Sequence, residues 1–211
     1  MDRFFGTYHR FETVSHKEGA LLLSADNLIG DRFEIEFEFI ECSQRAWLIN
    51  KFNKRIGFFD SDFSRRLSLL KASDASITAF LSFVAYTETD NGVSYWGEMA
   101  IVSRETRLVD DFNPLVDWLA DQLKKGVRPL IDLDCKAIDK YLSSDLTWRP
   151  SQTLPRPKFE KGTVMMKDEI SISDRIIEQG RKGNPGCYAI TWAIFIGIAV
   201  GVFFLVKALL S

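Results

Sequence analysis

An uncharged run near the carboxyl end, CYAITWAIFIGIAVGVFFLV from Cys187 to Val206, constrains this chain more than any other feature. Its length of about 20 residues is what an α-helix needs to cross roughly 30 Å of hydrocarbon. Tyr188 and Trp192 lie near one end, at the level where aromatic rings favour lipid headgroups, and Lys207 follows the other end. A buried helix of a soluble core is the alternative, but such a helix normally has a polar face. The run therefore predicts one transmembrane helix and a lipid bilayer as a partner.

The charges on either side of this run predict its orientation. Only Lys207 lies between the run and Ser211, whereas several basic residues precede it: Lys161, Lys167, Arg175, Arg181 and Lys182. Because basic flanks stay on the cytoplasmic side, we expect a single-pass, tail-anchored membrane protein whose N-terminal part is cytoplasmic. The expected organisation is a cytosolic domain over 1–148, a Pro-containing stalk and juxtamembrane segment over 149–186, a transmembrane helix over 187–206 and a short distal tail over 207–211.

Small residues recur inside the predicted membrane helix. Ala193, Gly197 and Gly201 are spaced four residues apart, so they share one face on which two helix backbones can approach closely. This face predicts self-association or docking of another membrane helix. Glycine is also common in helices that only face lipid, and that interpretation stays open. Cys187 at the membrane edge is a candidate for palmitoylation or simply a small apolar thiol.

The residues before this run predict a β-rich α+β fold with two or more antiparallel hairpins and several helices. RFEIEFEFIE alternates Phe and Ile with Glu, which is typical of a half-buried strand whose acidic face meets water or a basic neighbour. Hairpins are expected from RAWLIN with KRIGFF, and from SITAFLSFVAYT with VSYWGEMAIVS across the turn signal DNG.

Three helices are expected in the same part of the chain. The first begins at Asp60 or Ser61 and continues to about Lys71. The second is capped by Asn113, has Pro114 in its first helical position and ends at Gly126. The third covers 132–142. Pro150, Pro155 and Pro157 then predict the extended stalk.

Sequence motifs for catalysis, cofactors and metals are missing from the chain. His9 and His16 lie in no HExxH or zinc-like spacing, and there is no GxSxG, Walker A or GxGxxG motif. Asp132 and Asp134 form a DxD pair that could bind a divalent cation, but carboxylates also stabilise the N-terminus of a helix, which is the interpretation we prefer. We therefore expect no enzyme activity, no cofactor and no metal.

One segment is distinctly basic. Between Arg45 and Lys71 there are seven basic residues and two acidic ones, with phenylalanines interleaved. Basic groups that contact phosphates and aromatic rings that stack on bases are what single-stranded nucleic-acid binding requires. The residues that would bind nucleic acid, or an anionic lipid surface, are Lys51, Lys54, Arg55, Arg65 and Arg66. The alternative is that the phenylalanine rings lie in the hydrophobic core and that the lysine and arginine side chains form a solvent-exposed face.

The same region, WLINKFNKRIGFFDSDFSRRLSLLKASDASITAFLSF from Trp47 to Phe83, resembles the second half of a HIRAN domain. In that pattern a strand ends in a short segment that contains a glycine, here Gly57. A short helix follows, with hydrophobic residues spaced as in RRLSLL, and it leads to another strand. HIRAN domains are small β-rich modules that bind DNA ends, so the resemblance implies a β-rich fold and a DNA-end-binding function.

Two functions of different classes follow from the sequence. The preferred one is a non-catalytic interaction or regulatory module held at a membrane, with a protein partner or self-association through the membrane helix. The alternative is a membrane-tethered module that binds single-stranded nucleic acid or DNA ends. A cryptic enzyme is a third hypothesis, which would need a pocket with convergent polar groups.

Overall fold

The computed structural model describes residues 3–40, 43–89 and 92–181. Two compact units make up the chain, one ending at Ile170 and one beginning at Ser171. The elements of the first unit are β1 (Phe4–Glu12), α1 (His16–Leu22), β2 (Arg32–Ile40), β3 (Ser43–Ile49), β4 (Arg55–Phe58), α2 (Ser61–Ala72), β5 (Ala75–Thr89), β6 (Gly92–Glu105), a 3₁₀ turn (Thr106–Leu108), α3 (Val109–Leu123), α4 (Cys135–Ser143) and β7 (Thr163–Lys167). The second unit contains α5 (Ile172–Arg181).

The strands form one antiparallel sheet in the order β2-β3-β4-β1-β6-β5-β7. Strand β2 also pairs with β5, with Arg32 opposite Phe80 and Phe33 opposite Ala79, so the first six strands close into a barrel. Both predicted hairpins are present, β3 with β4 and β5 with β6. The β-rich α+β prediction is therefore confirmed for the described part of the chain.

The barrel interior is built around phenylalanine rings that the alternating strands turn inward. Phe11 is 1 % exposed, and two glycines on neighbouring strands leave room for its ring. A Cβ atom on Gly57 or on Gly97 would lie 2.6 Å from that ring, closer than side-chain carbons approach one another. Close packing of this kind explains why Gly57 stands in the middle of a strand, where glycine is otherwise unfavourable.

Helix α2 begins where the sequence predicts. Asp60 caps it, because its side chain accepts a hydrogen bond from the Phe63 backbone N–H. Phe63 and Leu67 are buried on the face that packs on β3 and β5. The expectation that α2 begins at Asp60 or Ser61 and continues to about Lys71 is therefore confirmed.

Helix α3 begins at Val109, earlier than predicted, and ends at Leu123, before Gly126. The prediction that Asn113 caps this helix and that Pro114 takes its first position is wrong. Phe112 explains the earlier start: it is fully buried, and its ring lies 4.9 Å from that of Phe4. Burial of a large aromatic ring stabilises the extra turn by more than the one hydrogen bond that Pro114 removes.

The segment 149–170, expected to form part of a stalk, belongs instead to the first unit. Strand β7 pairs with β5, and Thr153 forms an antiparallel bridge with Pro129. The Phe159 ring lies 5.8 Å from that of Phe83, and Ile170 is 5 % exposed. These contacts bury apolar surface that an extended spacer would leave in water, so the domain continues to Ile170 rather than ending at 148.

Candidate binding groove

A groove of about 330 Å³ lies between the N-terminal end of α4 and the start of the segment 149–170. Leu130, Leu133, Ala137, Trp148 and Pro150 form its apolar surface, and Asp132, Asp134, Ser151 and Gln152 supply polar groups. Its volume falls at the lower end of the range of about 300–1,000 Å³ for ligand pockets, which also combine apolar walls with a few polar groups.

One wall of the groove is a short two-stranded pairing outside the barrel. The Leu130 N–H donates to the Gln152 carbonyl at 2.9 Å, and the Leu154 N–H donates to the Arg128 carbonyl at 2.7 Å. The Tyr8 hydroxyl, on β1, donates to the Pro129 carbonyl at 2.9 Å. Backbone hydrogen bonds thus hold the two segments of the wall together, and the Tyr8 hydroxyl attaches the wall to the barrel.

The opposite wall is α4 together with the turn that follows it. Asp134 caps α4 and accepts from the Ala137 N–H at 2.7 Å, as we preferred for the DxD pair. Asp145 and Leu146 both have positive φ, and this turn brings Trp148 back against α4, where its ring lies 5.4 Å from Lys140 Nζ. A rigid aromatic surface is therefore held beside two carboxylates.

Arg149 holds this turn in place. Its guanidinium donates to the carbonyls of Leu146 and Trp148, at 2.6 and 2.8 Å, and to that of Pro114 on α3 at 3.2 Å. An arginine that bridges three carbonyls uses several of its fixed donors at once, which restricts the backbone on both sides of Trp148. These hydrogen bonds fix the wall of the groove that carries Trp148.

The charge of the groove is negative, because Asp132 and Asp134 are its only charged lining residues among those described. Both are exposed, and neither forms an ion pair within the described ranges. In the same ranges no group of three or more His, Cys, Asp or Glu residues could hold a metal ion. The arrangement favours a ligand with a positive charge or several hydrogen-bond donors beside an apolar portion.

The five basic residues proposed for nucleic-acid binding lie elsewhere, on the β3–β4 turn, β4 and α2. Lys51 Nζ lies 2.8 Å from Asp31, Lys54 Nζ lies 3.9 Å from Asp26, and Arg55 contacts Glu38 at 2.9 Å and Glu36 at 3.6 Å. The Arg66 guanidinium covers the Phe5 ring at 4.2 Å, and Arg65 is exposed. Of the two surroundings expected for the acidic face of β2, water or a basic neighbour, Arg55 provides the second at Glu36 and Glu38.

The phenylalanines interleaved with these basic residues differ in their exposure. Phe59 and Phe63 are 1 % and 6 % exposed, Phe58 is half-buried, and Phe52 is 44 % exposed. Bases can stack only on accessible rings. Carboxylates offset three of the five basic charges, and two of the rings are in the core. Nucleic-acid binding stays a prediction.

His9 is held by a neighbouring carboxylate. Its Nε2 lies 2.6 Å from Asp60 Oδ2, and its ring stacks on that of Phe63 with 3.7 Å between centroids. Burial raises the pKa of Asp60, but hydrogen bonds from the Phe63 N–H and from His9 outweigh it, so this pKa lies below its ordinary value. His9 therefore packs on α2 through its ring and pairs with the residue that caps that helix.

A buried ion pair on the barrel was not anticipated from the sequence. Glu98 on β6 and Arg128 lie 2.7 Å apart, with side chains 12 % and 10 % exposed. Arg128 also donates to the Pro155 carbonyl and covers the Tyr8 ring at 4.7 Å. Burial raises the pKa of Glu98, an effect that Arg128 opposes. Arg128 therefore joins the barrel to the segment that forms the groove.

The membrane-related predictions fall on residues that the structure does not describe. Ala193, Gly197 and Gly201, with the whole run 187–206, lie outside the described ranges. Within 3–40, 43–89 and 92–181, no helix combines the length and apolar character that crossing a bilayer requires.

Sequence reasoning missed most of the groove. Asp132 and Asp134 were singled out, but Trp148, Ser151 and Gln152 were not, because only the folding back of the segment after α4 brings them to the same place. Their only local signal is Trp148, a large aromatic residue two positions before Pro150, at the start of a segment expected to be an extended stalk.

Comparison of the chain with protein-family models gives no match, and comparison with curated proteins gives none either.

Proposed function

We propose that this protein is a membrane-anchored, non-catalytic interaction module. One helix over 187–206 anchors it in a bilayer, and the domain that ends at Ile170 faces the cytoplasm and binds a partner protein. The uncharged run over 187–206 carries this proposal, since its length and composition are those of a membrane helix. The basic residues that precede the run support the cytoplasmic orientation.

The groove is the proposed partner-binding site. Its apolar floor and the ring of Trp148 suit an extended segment of the partner, and Asp132 and Asp134 suit a lysine or arginine on that segment. A cation over the face of a tryptophan gains about 0.5–2 kcal/mol, and nearby carboxylates add charge complementarity. The occupant is therefore a basic segment of another protein.

Site-specific photocrosslinking tests the groove in the full-length chain in its native membrane. A benzoylphenylalanine that replaces Gln152 is expected to crosslink a partner, whereas the same group at Lys71, which is exposed on α2, is expected not to. Charge reversal by Asp132→Lys should abolish the crosslink, and Asp62→Lys, a matched reversal on α2, should leave it unchanged.

Mass spectrometry of the crosslinked product then identifies the bound segment. The proposal predicts a Lys or Arg within a few residues of the crosslink and loss of the product with Trp148→Ala. A product that persists in both Asp132→Lys and Trp148→Ala, or that joins a segment without basic residues, would contradict the assignment of the groove.

A further inference from the structure

Helix α5 has one apolar face and one polar face. It begins after Ser171, whose hydroxyl accepts from the Asp174 N–H at 3.1 Å. At 100° per residue, Ile172, Ile176 and Ile177 fall within one arc of the helix, and the charged residues fall within the opposite arc. The charged residues are Asp174, Arg175, Glu178 and Arg181.

The isoleucines of α5 are exposed to an extent unusual for such large apolar side chains. Ile172 is 79 % exposed, Ile176 is 64 % and Ile177 is 38 %. Exposed apolar residues scattered singly need no explanation, but these three share a face of one short helix. The apolar face therefore needs an occupant.

The position of α5 in the chain identifies that occupant. Only residues 182–186 separate the end of α5 at Arg181 from the run that begins at Cys187. Five residues span at most roughly 18 Å, even when fully extended. If the run crosses a bilayer, α5 cannot move beyond the region next to the headgroups of the same bilayer, and its own length is only about 15 Å.

We propose that α5 lies in the interface plane of the membrane, with Ile172, Ile176 and Ile177 inserted at the boundary between headgroups and acyl chains. This inference rests on the proposed membrane anchor. An amphipathic helix of this kind binds through its buried apolar area and keeps its charged face toward water. The charged face of α5 has two acidic and two basic residues, so apolar insertion rather than attraction to anionic lipid supplies the binding.

Spin labelling of the full-length chain tests this placement. Cys42, Cys135 and Cys187 are replaced by serine, and single cysteines are introduced for the label by Ile172→Cys, Ile176→Cys, Asp174→Cys, Glu178→Cys and Ile198→Cys. Each protein is reconstituted in vesicles of phosphatidylcholine and phosphatidylserine. The accessibility of each label to oxygen, which concentrates in lipid, and to a water-soluble nickel chelate is then measured.

The inference predicts an oxygen-to-nickel accessibility ratio several-fold higher at 172 and 176 than at 174 and 178. Nickel access at all four positions, with the label at 198 in lipid, would overturn the placement of α5 and leave the anchor standing. Labels at 172 and 176 shielded from both reagents would mean that protein covers this face, which also overturns the inference. A label at 198 that is accessible to nickel would overturn the anchor itself.

Discussion

Arg128 is the residue whose loss should most clearly disturb the domain. It is paired with Glu98 at 2.7 Å, and both side chains are about nine-tenths buried. In Arg128→Met the Glu98 carboxylate would stay in a nearly dry environment without its cation. Removing one partner of a buried ion pair typically costs about 3–5 kcal/mol, and we expect a loss of this size at neutral pH.

The complementary variant should cost less. In Glu98→Gln, Arg128 keeps a neutral acceptor beside it as well as the Pro155 carbonyl, so the expected loss is about 1.5–3 kcal/mol, the value of a hydrogen bond to a charged group. The double variant Glu98→Gln with Arg128→Met should be less destabilised than the sum of the two single changes, because no uncompensated charge remains.

The pH dependence gives a second test of the same pair. Burial raises the pKa of Glu98 in the folded state, with Arg128 opposing it. Because the folded pKa lies above the unfolded value of about 4.3, the stability linked to this group is fully present below that value and is lost as the pH rises through the folded pKa. Without Arg128 the carboxyl group binds its proton more tightly, so the cost of Arg128→Met should shrink as the pH falls from 7 to 4.

Urea unfolding of the fragment 1–170, followed by tryptophan fluorescence, measures these differences. The double variant serves as the control, since it has no titrating group at this site and its own free energy of unfolding should show no pH dependence from this pair. A cost below about 1 kcal/mol for Arg128→Met at pH 7, or a cost that is the same at pH 4, would refute the claim that the pair is buried and coupled.

Other predictions concern the domain boundary, the helix cap and the membrane face. The fragment 1–170 should unfold in one cooperative transition, whereas 1–148 should give a molten or insoluble product; equal urea midpoints would show that the later segment adds nothing. Asp60→Ala should cost about 1 kcal/mol in 1–170 and Asp60→Asn distinctly less, since asparagine also caps helices; equal losses in urea unfolding would argue against the cap. Replacing Gly197 and Gly201 with isoleucine should weaken self-association measured by energy transfer in vesicles, and unchanged association would indicate a face that contacts only lipid.

The strands and α2 were predictable because their signals are local. Alternation places Phe33, Ile35 and Phe37 against the core, although Phe39 in the same pattern is 74 % exposed. Asp60 caps α2 through a hydrogen bond to a residue three positions away. The error in α3 has a different origin. Asn113 and Pro114 are strong local start signals, but Phe112 is buried against Phe4, a contact that depends on a strand far away in the sequence.

The groove and the charge pairs depend on such distant contacts entirely. Prolines over 150–157 favour extended backbone, and the sequence does not distinguish an extended segment in water from one that packs on a barrel. The acidic partners of Lys51, Lys54 and Arg55 come from the loop before β2 and from β2 itself. Local charge counts therefore overstate the positive charge of the basic segment.

We propose above all that residues 187–206 anchor this domain in a bilayer. Alkaline carbonate extraction of native membranes tests it most directly, with the full-length chain compared with a chain that ends at residue 186. We expect the full-length chain to stay in the membrane pellet and to be released only by detergent, and the shortened chain to be extracted by carbonate. Release of the full-length chain by carbonate alone would contradict the account, because a membrane-spanning helix is not removed by disrupting electrostatic contacts.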